Sequence, residues 1–162
     1  RADAGVPVRH EPVELDRVLL DTINQARHLA RGQTLQVGEF EPVSILGDED
    51  RLKQLLLILL DNALRYTPAD GQVTLALKRE GPVAKISVCD TGVGIPAQAL
   101  PNVFERFYRA DPARQRNPGG TGLGLSIARW IAEQHGGEIA LESEAGRGTT
   151  ATVRFPLPGR EV

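Results

Sequence analysis

Cysteine is almost missing. Cys89 stands alone in 162 residues, which excludes an internal disulfide and fits a reducing compartment. Aromatic residues are scarce at 4%, so Leu, Ile, Val and Ala must fill most of any core. Long apolar runs are absent too: the longest, residues 55–60, falls far short of the roughly 20 residues that span a bilayer. Charge of one sign is not in excess, since 19 basic residues face 21 acidic ones for a net −2. Nothing in that balance points to the electrostatic footprint of a nucleic-acid or membrane-surface binder. No side-chain cluster has metal-ligand spacing. No signal peptide opens the chain, and it starts at Arg1 rather than Met. It is therefore expected to be an excised portion, with any membrane segment of its parent outside it.

What is present is an ordinary globular composition, 41% hydrophobic and 25% charged, at a length that suits one core. Residues 1–12 are polar and proline-broken and read as a linker end, with a folded domain over 13–162. Apolar spacing predicts a helix over 13–30. Strands are expected at 34–37 and 43–46, then a helix from the candidate cap Asp48 to about Arg65, stopped by Thr67-Pro68. Asp70-Gly71 leads into a hairpin of strands 72–78 and 83–89. Residues 90–120 form a long Gly-, Pro- and Arg-rich segment with a short helical stretch near Phe104. A third helix is expected from about Thr121 to Gly136-Gly137, and two last strands at 138–142 and 149–155. Strands arriving in pairs between helices predict an α+β class: a mixed, mainly antiparallel sheet with about three helices on one face.

Three stretches carry candidate chemistry. Asp90-Thr91-Gly92-Val93-Gly94-Ile95-Pro96 follows an apolar strand, so Asp90 could accept a hydrogen bond from an exocyclic amine while the glycines let backbone approach closely. Taken alone, this is equally an Asx-type turn ended by proline. Gly119-Gly120-Thr121-Gly122-Leu123-Gly124-Leu125 runs into a helix, where successive N–H groups and the helix dipole form a phosphate cradle. It lacks the lysine of a P-loop and the βαβ frame of a dinucleotide site. Asn62, Arg65 and Tyr66 share one face of the second helix by i, i+3, i+4 spacing and would suit a metal-bridged phosphate. By itself that face is more simply a solvated one, with Arg65 favourably near a helix C-terminus.

Together, in this order, these stretches resemble the histidine kinase branch of the GHKL ATP-binding superfamily. Asn62, Arg65 and Tyr66 match the N box and Asp90-Thr91-Gly92-Val93-Gly94 the G1 box. Phe104-Glu105-Arg106-Phe107-Tyr108-Arg109 looks like the F box, Gly120-Thr121-Gly122-Leu123-Gly124-Leu125 like the G2 box, and Gly148-Thr149-Thr150 like the terminal G-T motif. The resemblance implies a Bergerat-type two-layer α/β sandwich and a set of roles. Asp90 would read the adenine amino group, with Gly92, Gly94, Ile95 and Thr149 around it. Asn62 would ligate Mg²⁺ bridging the phosphates and act in catalysis together with Arg109. Arg65 and Arg109 would meet phosphate charge, Tyr66 and Tyr108 would line the site, and the amides of Gly120, Thr121, Gly122, Leu123, Gly124 and Leu125 would hold the phosphate tail. Residues 95–120 would be an ATP lid, with Phe104 and Phe107 anchoring it on the domain or engaging a partner helix.

The implied activity is transfer of the γ-phosphoryl group of ATP to a histidine on an adjoining dimerisation domain, and from there to a response regulator. The fragment would be a monomer cut from a homodimeric parent, a cytoplasmic domain of an inner-membrane sensor. His10 lacks the Thr-Pro that follows the family's acceptor histidine. His28 reads as a part-exposed helix residue and His135 as a helix C-terminal residue favoured by the dipole. The acceptor is therefore expected outside this chain. One departure separates the readings: the place one turn before Asn62, often a second asparagine, or a water-activating glutamate in gyrase-like ATPases, is Ile58. An ATPase, an anti-sigma serine kinase and a non-catalytic nucleotide-binding scaffold are the alternatives, and Ile58 argues against the first. Cys89 is expected to be a small core residue, and Trp130 to pack with Ile127 and Ile131.

Overall fold

A computed structural model describes residues 7–105 and 124–159. In chain order the elements are β1 (Glu11–Glu14), α1 (Leu15–Ala26), β2 (Thr34–Phe40), β3 (Ser44–Gly47), α2 (Glu49–Arg65), β4 (Gln72–Glu80), β5 (Val83–Asp90), α3 (Gly124–Gln134), β6 (Glu138–Glu144) and β7 (Gly148–Pro156). Single 3-10 turns lie at Arg27–Leu29 and Leu100–Asn102. Five strands form one sheet in the order β2-β4-β5-β7-β6, with β2 parallel to β4 and every other pair antiparallel. The α+β sandwich expected from the strand pairing is the one found.

Strand alternation decides which side the helices cover. Register sets Ile139, Val153, Ile86 and Leu77 in one inner row, and Leu141, Ala151, Val88 and Leu75 in the next. These rows pack on the leucine stripe of α2, where Leu52, Leu55, Leu56, Leu59, Leu60, Ala63 and Leu64 are buried. Truncating a fully buried member such as Leu60 to alanine is expected to cost about 2–5 kcal/mol. Helices α1 and α3 flank α2 through Leu15, Leu19 and Ile23 on one side and Ala128, Ile131 and Ala132 on the other.

Three local expectations are corrected. The first helix starts at Leu15, because residues 11–14 extend into β1, with Glu11 opposite Gly47 and Glu14 opposite Ser44. Pro12, without an N–H, is tolerated in this two-stranded ribbon. Cys89 is exposed and not in the core, because its neighbours Val88 and Asp90 take the inner positions of β5. His135 does follow the last turn of α3, but burial disfavours the charged ring that the helix dipole would favour. It is buried, with Nδ1 donating to the Ile131 carbonyl at 2.8 Å and Nε2 accepting the Asp48 amide at 3.0 Å. Trp130 packs on the core as expected.

Candidate functional site

The third inner row of the sheet breaks the apolar pattern. It runs Ser143, Thr149, Asp90, Val73, and its polar members lie where β5 ends and the glycine-bearing loop begins. Asp90 is buried, at 8% exposure. Its Oδ1 accepts two backbone amides, Gly92 at 2.8 Å and Thr149 at 3.2 Å. Among the described residues Oδ2 has no hydrogen-bond donor, so one carboxylate oxygen is held in place and the other is not engaged by them. Burial raises the Asp90 pKa above the ordinary 3.8, and the two amide bonds offset part of that shift.

The glycines of the loop are packing requirements before they are anything else. A Cβ on Gly92 would sit 2.2 Å from the Tyr66 carbonyl oxygen, and one on Gly94 2.1 Å from that of Glu144. Gly94 also has φ +76°, a region that side chains disfavour. The loop is thereby pinned on two sides. Val93 donates to the Tyr66 carbonyl at 3.1 Å, and the Val93 carbonyl accepts from Gly146 at 2.7 Å. Ile95 donates to Ser143 Oγ at 2.7 Å. The sequence singled out Asp90, Gly92, Gly94, Ile95 and Thr149, and the structure brings all five together. It adds Ser143, which no local motif reveals.

Helix α2 reaches the same place from the other side. Tyr66 is its C-cap, and the Gln33 amide caps this end by donating to the carbonyls of Leu64 at 2.9 Å and Thr67 at 2.8 Å. Arg65 donates through Nε to Asp61 Oδ2 at 2.9 Å, so its charge is already engaged on its own helix. Asn62 lies one turn before Tyr66. Its half-buried amide makes no hydrogen bond with any described residue. One turn earlier, Ile58 packs on the core and faces the start of α3, where a Cβ on Gly124 would lie 3.3 Å from Ile58 Cγ2. Asn62 therefore sits on the helix between the point that meets the Asp90 loop and the point that meets α3. Leu125, next on α3, also packs on the core.

The amide oxygen of Asn62 is a hard donor of the kind Mg²⁺ takes beside phosphate oxygens and water. Among the described residues no group of three or more His, Cys, Asp or Glu could hold a metal alone, so a protein-only cage is not present there. Phe104 lies near α3, with the Arg129 guanidinium 5.6 Å from its ring centroid. Tyr108, Arg109, Gly120, Thr121, Gly122 and Leu123 lie outside the described residues, as do Arg106 and Phe107. No described helix is long and apolar enough to cross a membrane.

Known proteins resemble this chain over the stretch that contains these elements. The family model for the histidine kinase-, DNA gyrase B- and HSP90-like ATPases matches residues 47–159. Sensor histidine kinase YkoH of Bacillus subtilis is 43% identical over 155 residues, covering 90% of this chain and 33% of that protein. WalK of the same organism is 47% identical over 116 residues, covering 70% of the chain and 19% of its own length. The chain thus spans a third or less of the length of these two relatives. Among solved structures, the mycobacterial sensor histidine kinase MprB superposes with a TM-score of 0.82 at 31% identity, covering 92% of this chain and all of that one. The catalytic domain of histidine kinase ThkA superposes at 0.78 with 25% identity, covering 91% and 95%.

Proposed function

The chain belongs to the histidine kinase-, DNA gyrase B- and HSP90-like ATPase family, and from that premise we propose that it binds Mg²⁺-ATP and donates the γ-phosphoryl group to a histidine on an adjoining dimerisation domain. The observation that carries the reading is the Asp90 carboxylate, buried and fixed by two amides with one oxygen left to accept a hydrogen bond from the adenine amine. Asn62 would hold the metal, which when bound neutralises phosphate charge. Gly124 and Leu125 begin α3, whose N-terminal end would meet the phosphates. The roles of Arg109 and of the amides of residues 120–123 belong to the same proposal.

Ile58 supports transfer over hydrolysis. A water-activating base one turn before Asn62 needs a carboxylate, and an isoleucine packed on the core cannot remove a proton. The site would hold the γ-phosphate for a nucleophile delivered in line from outside, where positioning supplies most of the rate. In the parent, the phosphate would pass on to a response regulator, and the domain would work on the cytoplasmic side of a homodimeric inner-membrane sensor. Titration calorimetry with ATP and Mg²⁺ tests the assignment. Asp90→Ala is expected to cost roughly 1.5–3 kcal/mol of binding, the worth of a charge-assisted hydrogen bond. Equal affinity in wild type and variant would remove Asp90 from the base site.

A further inference from the structure

The polar row Ser143, Thr149, Asp90 fixes more than heavy-atom positions, because its protons can be counted. A serine hydroxyl has one proton and two lone pairs. Ser143 Oγ donates to the Gly148 carbonyl at 3.0 Å, since a carbonyl oxygen can only accept. One of its lone pairs takes the Ile95 amide at 2.7 Å. The remaining contact, 2.8 Å to Thr149 Oγ1, is then a bond that Thr149 must donate. Ser143 is thereby saturated. Thr149 has committed its only hydroxyl proton and keeps lone pairs alone. Its strand neighbour on β5, Asp90, accepts the Gly92 and Thr149 amides through Oδ1, and a carboxylate there likewise only accepts.

We propose that Ser143 is a positioning residue that makes this end of the site acceptor-only, and so selects a base with an exocyclic amine over one with an exocyclic carbonyl. The inference rests on the nucleotide reading of the site. Adenine's amine finds acceptors here. A guanine carbonyl in the same place would face lone pairs and stay unsatisfied, a loss that discriminates far more strongly than shape. Removing the Ser143 hydroxyl releases the Thr149 proton, which can then be donated to a carbonyl.

The test compares ATP and GTP dissociation constants, each with Mg²⁺, for the wild-type domain, Ser143→Ala, Ser143→Thr and Thr149→Val, with thermal melting of each. Ser143→Ala is expected to lower the ATP-over-GTP preference about tenfold, partly by tighter GTP binding. Ser143→Thr keeps the hydroxyl and retains the preference. Thr149→Val keeps the amide to Asp90 but has no proton to redirect, so it weakens ATP without improving GTP. A merely structural Ser143 would weaken both nucleotides alike, and an unchanged ATP-over-GTP ratio in Ser143→Ala overturns the inference. If that variant melts too low to assay, Ser143→Cys, a weak donor and acceptor, makes the same comparison with the same overturning result. A wild type that binds neither nucleotide overturns the nucleotide reading as well. A preference for ATP that survives loss of the hydroxyl overturns this inference alone.

Discussion

At the scale of single residues, Asp90 holds opposing demands. Its folded pKa is raised above 3.8 by burial, so the fold favours the neutral carboxyl. The stability this group contributes is present below 3.8 and lost as pH rises through the folded value, so the ionised group opposes folding at neutral pH. Asp90→Asn should therefore leave the melting temperature unchanged or raise it, because an amide oxygen can still accept from Gly92 and Thr149. The same change should weaken ATP binding. Melting curves and calorimetry on one preparation check the pair of outcomes, and a large fall in melting temperature would contradict the electrostatic account. A matching pH series should show ATP affinity falling on acidification at a higher pH than an ordinary carboxylate would give. Gly92→Ala acts by contact instead: its Cβ meets the Tyr66 carbonyl and must break the bond from Val93, at a cost of about 1–3 kcal/mol in urea unfolding. Asp90 and its glycines were legible because they form one contiguous stretch. Ser143 was not, because its contacts exist only through pairing of β6 with β7 and a hydrogen bond to a residue 48 positions away.

At the scale of elements, both ends of α2 are closed by distant parts of the chain. Asp48 caps the N-terminus by accepting from Asp50 at 3.1 Å and Arg51 at 3.3 Å, and it also receives the Arg9 backbone amide and guanidinium, each at 3.1 Å. Burial alone would raise its pKa, but those hydrogen bonds and the Arg9 charge hold it down at about 2. That stability is present above 3.8 and lost as pH falls toward 2. Asp48→Ala should cost about 1–2 kcal/mol by urea titration at neutral pH, and its stability should depend less on pH in the acid range. His135 works the other way for a base. Its burial lowers its pKa from 6.5, so below 6.5 the unfolded chain takes a proton that the native ring refuses, and stability falls as pH drops toward the native value. His135→Gln removes that titration and should flatten the stability profile just below pH 6.5. An equally steep profile in the variant would contradict the neutral, doubly bonded ring. Asp48 was legible as a cap from its place before an apolar helix. Its bond to His135 was not, because 87 residues separate them. β1 was hidden for a related reason: four residues with a proline become a strand only beside β3.

At the scale of the whole molecule, the fold class was readable from the order of paired strands and helices, because alternation and helical periodicity follow directly from burial. The sheet order β2-β4-β5-β7-β6 was not, since each pairing depends on which edges meet once the helices cover one face. That order sets Asp90 beside Thr149, and α2 lies between the Asp90 loop and the start of α3. The central claim is that this arrangement transfers phosphate to a histidine and not to water. The direct measurement supplies the isolated domain with radiolabelled ATP and Mg²⁺, alone and with the parent's dimerisation helices as a separate polypeptide. Alone, the domain should neither label itself nor turn ATP over appreciably, because Ile58 offers no base. With the helices, label should appear on them in an acid-labile, alkali-stable form, and Asn62→Ala should abolish it. Rapid ATP hydrolysis by the domain alone, or an acid-stable label on serine, would contradict the account.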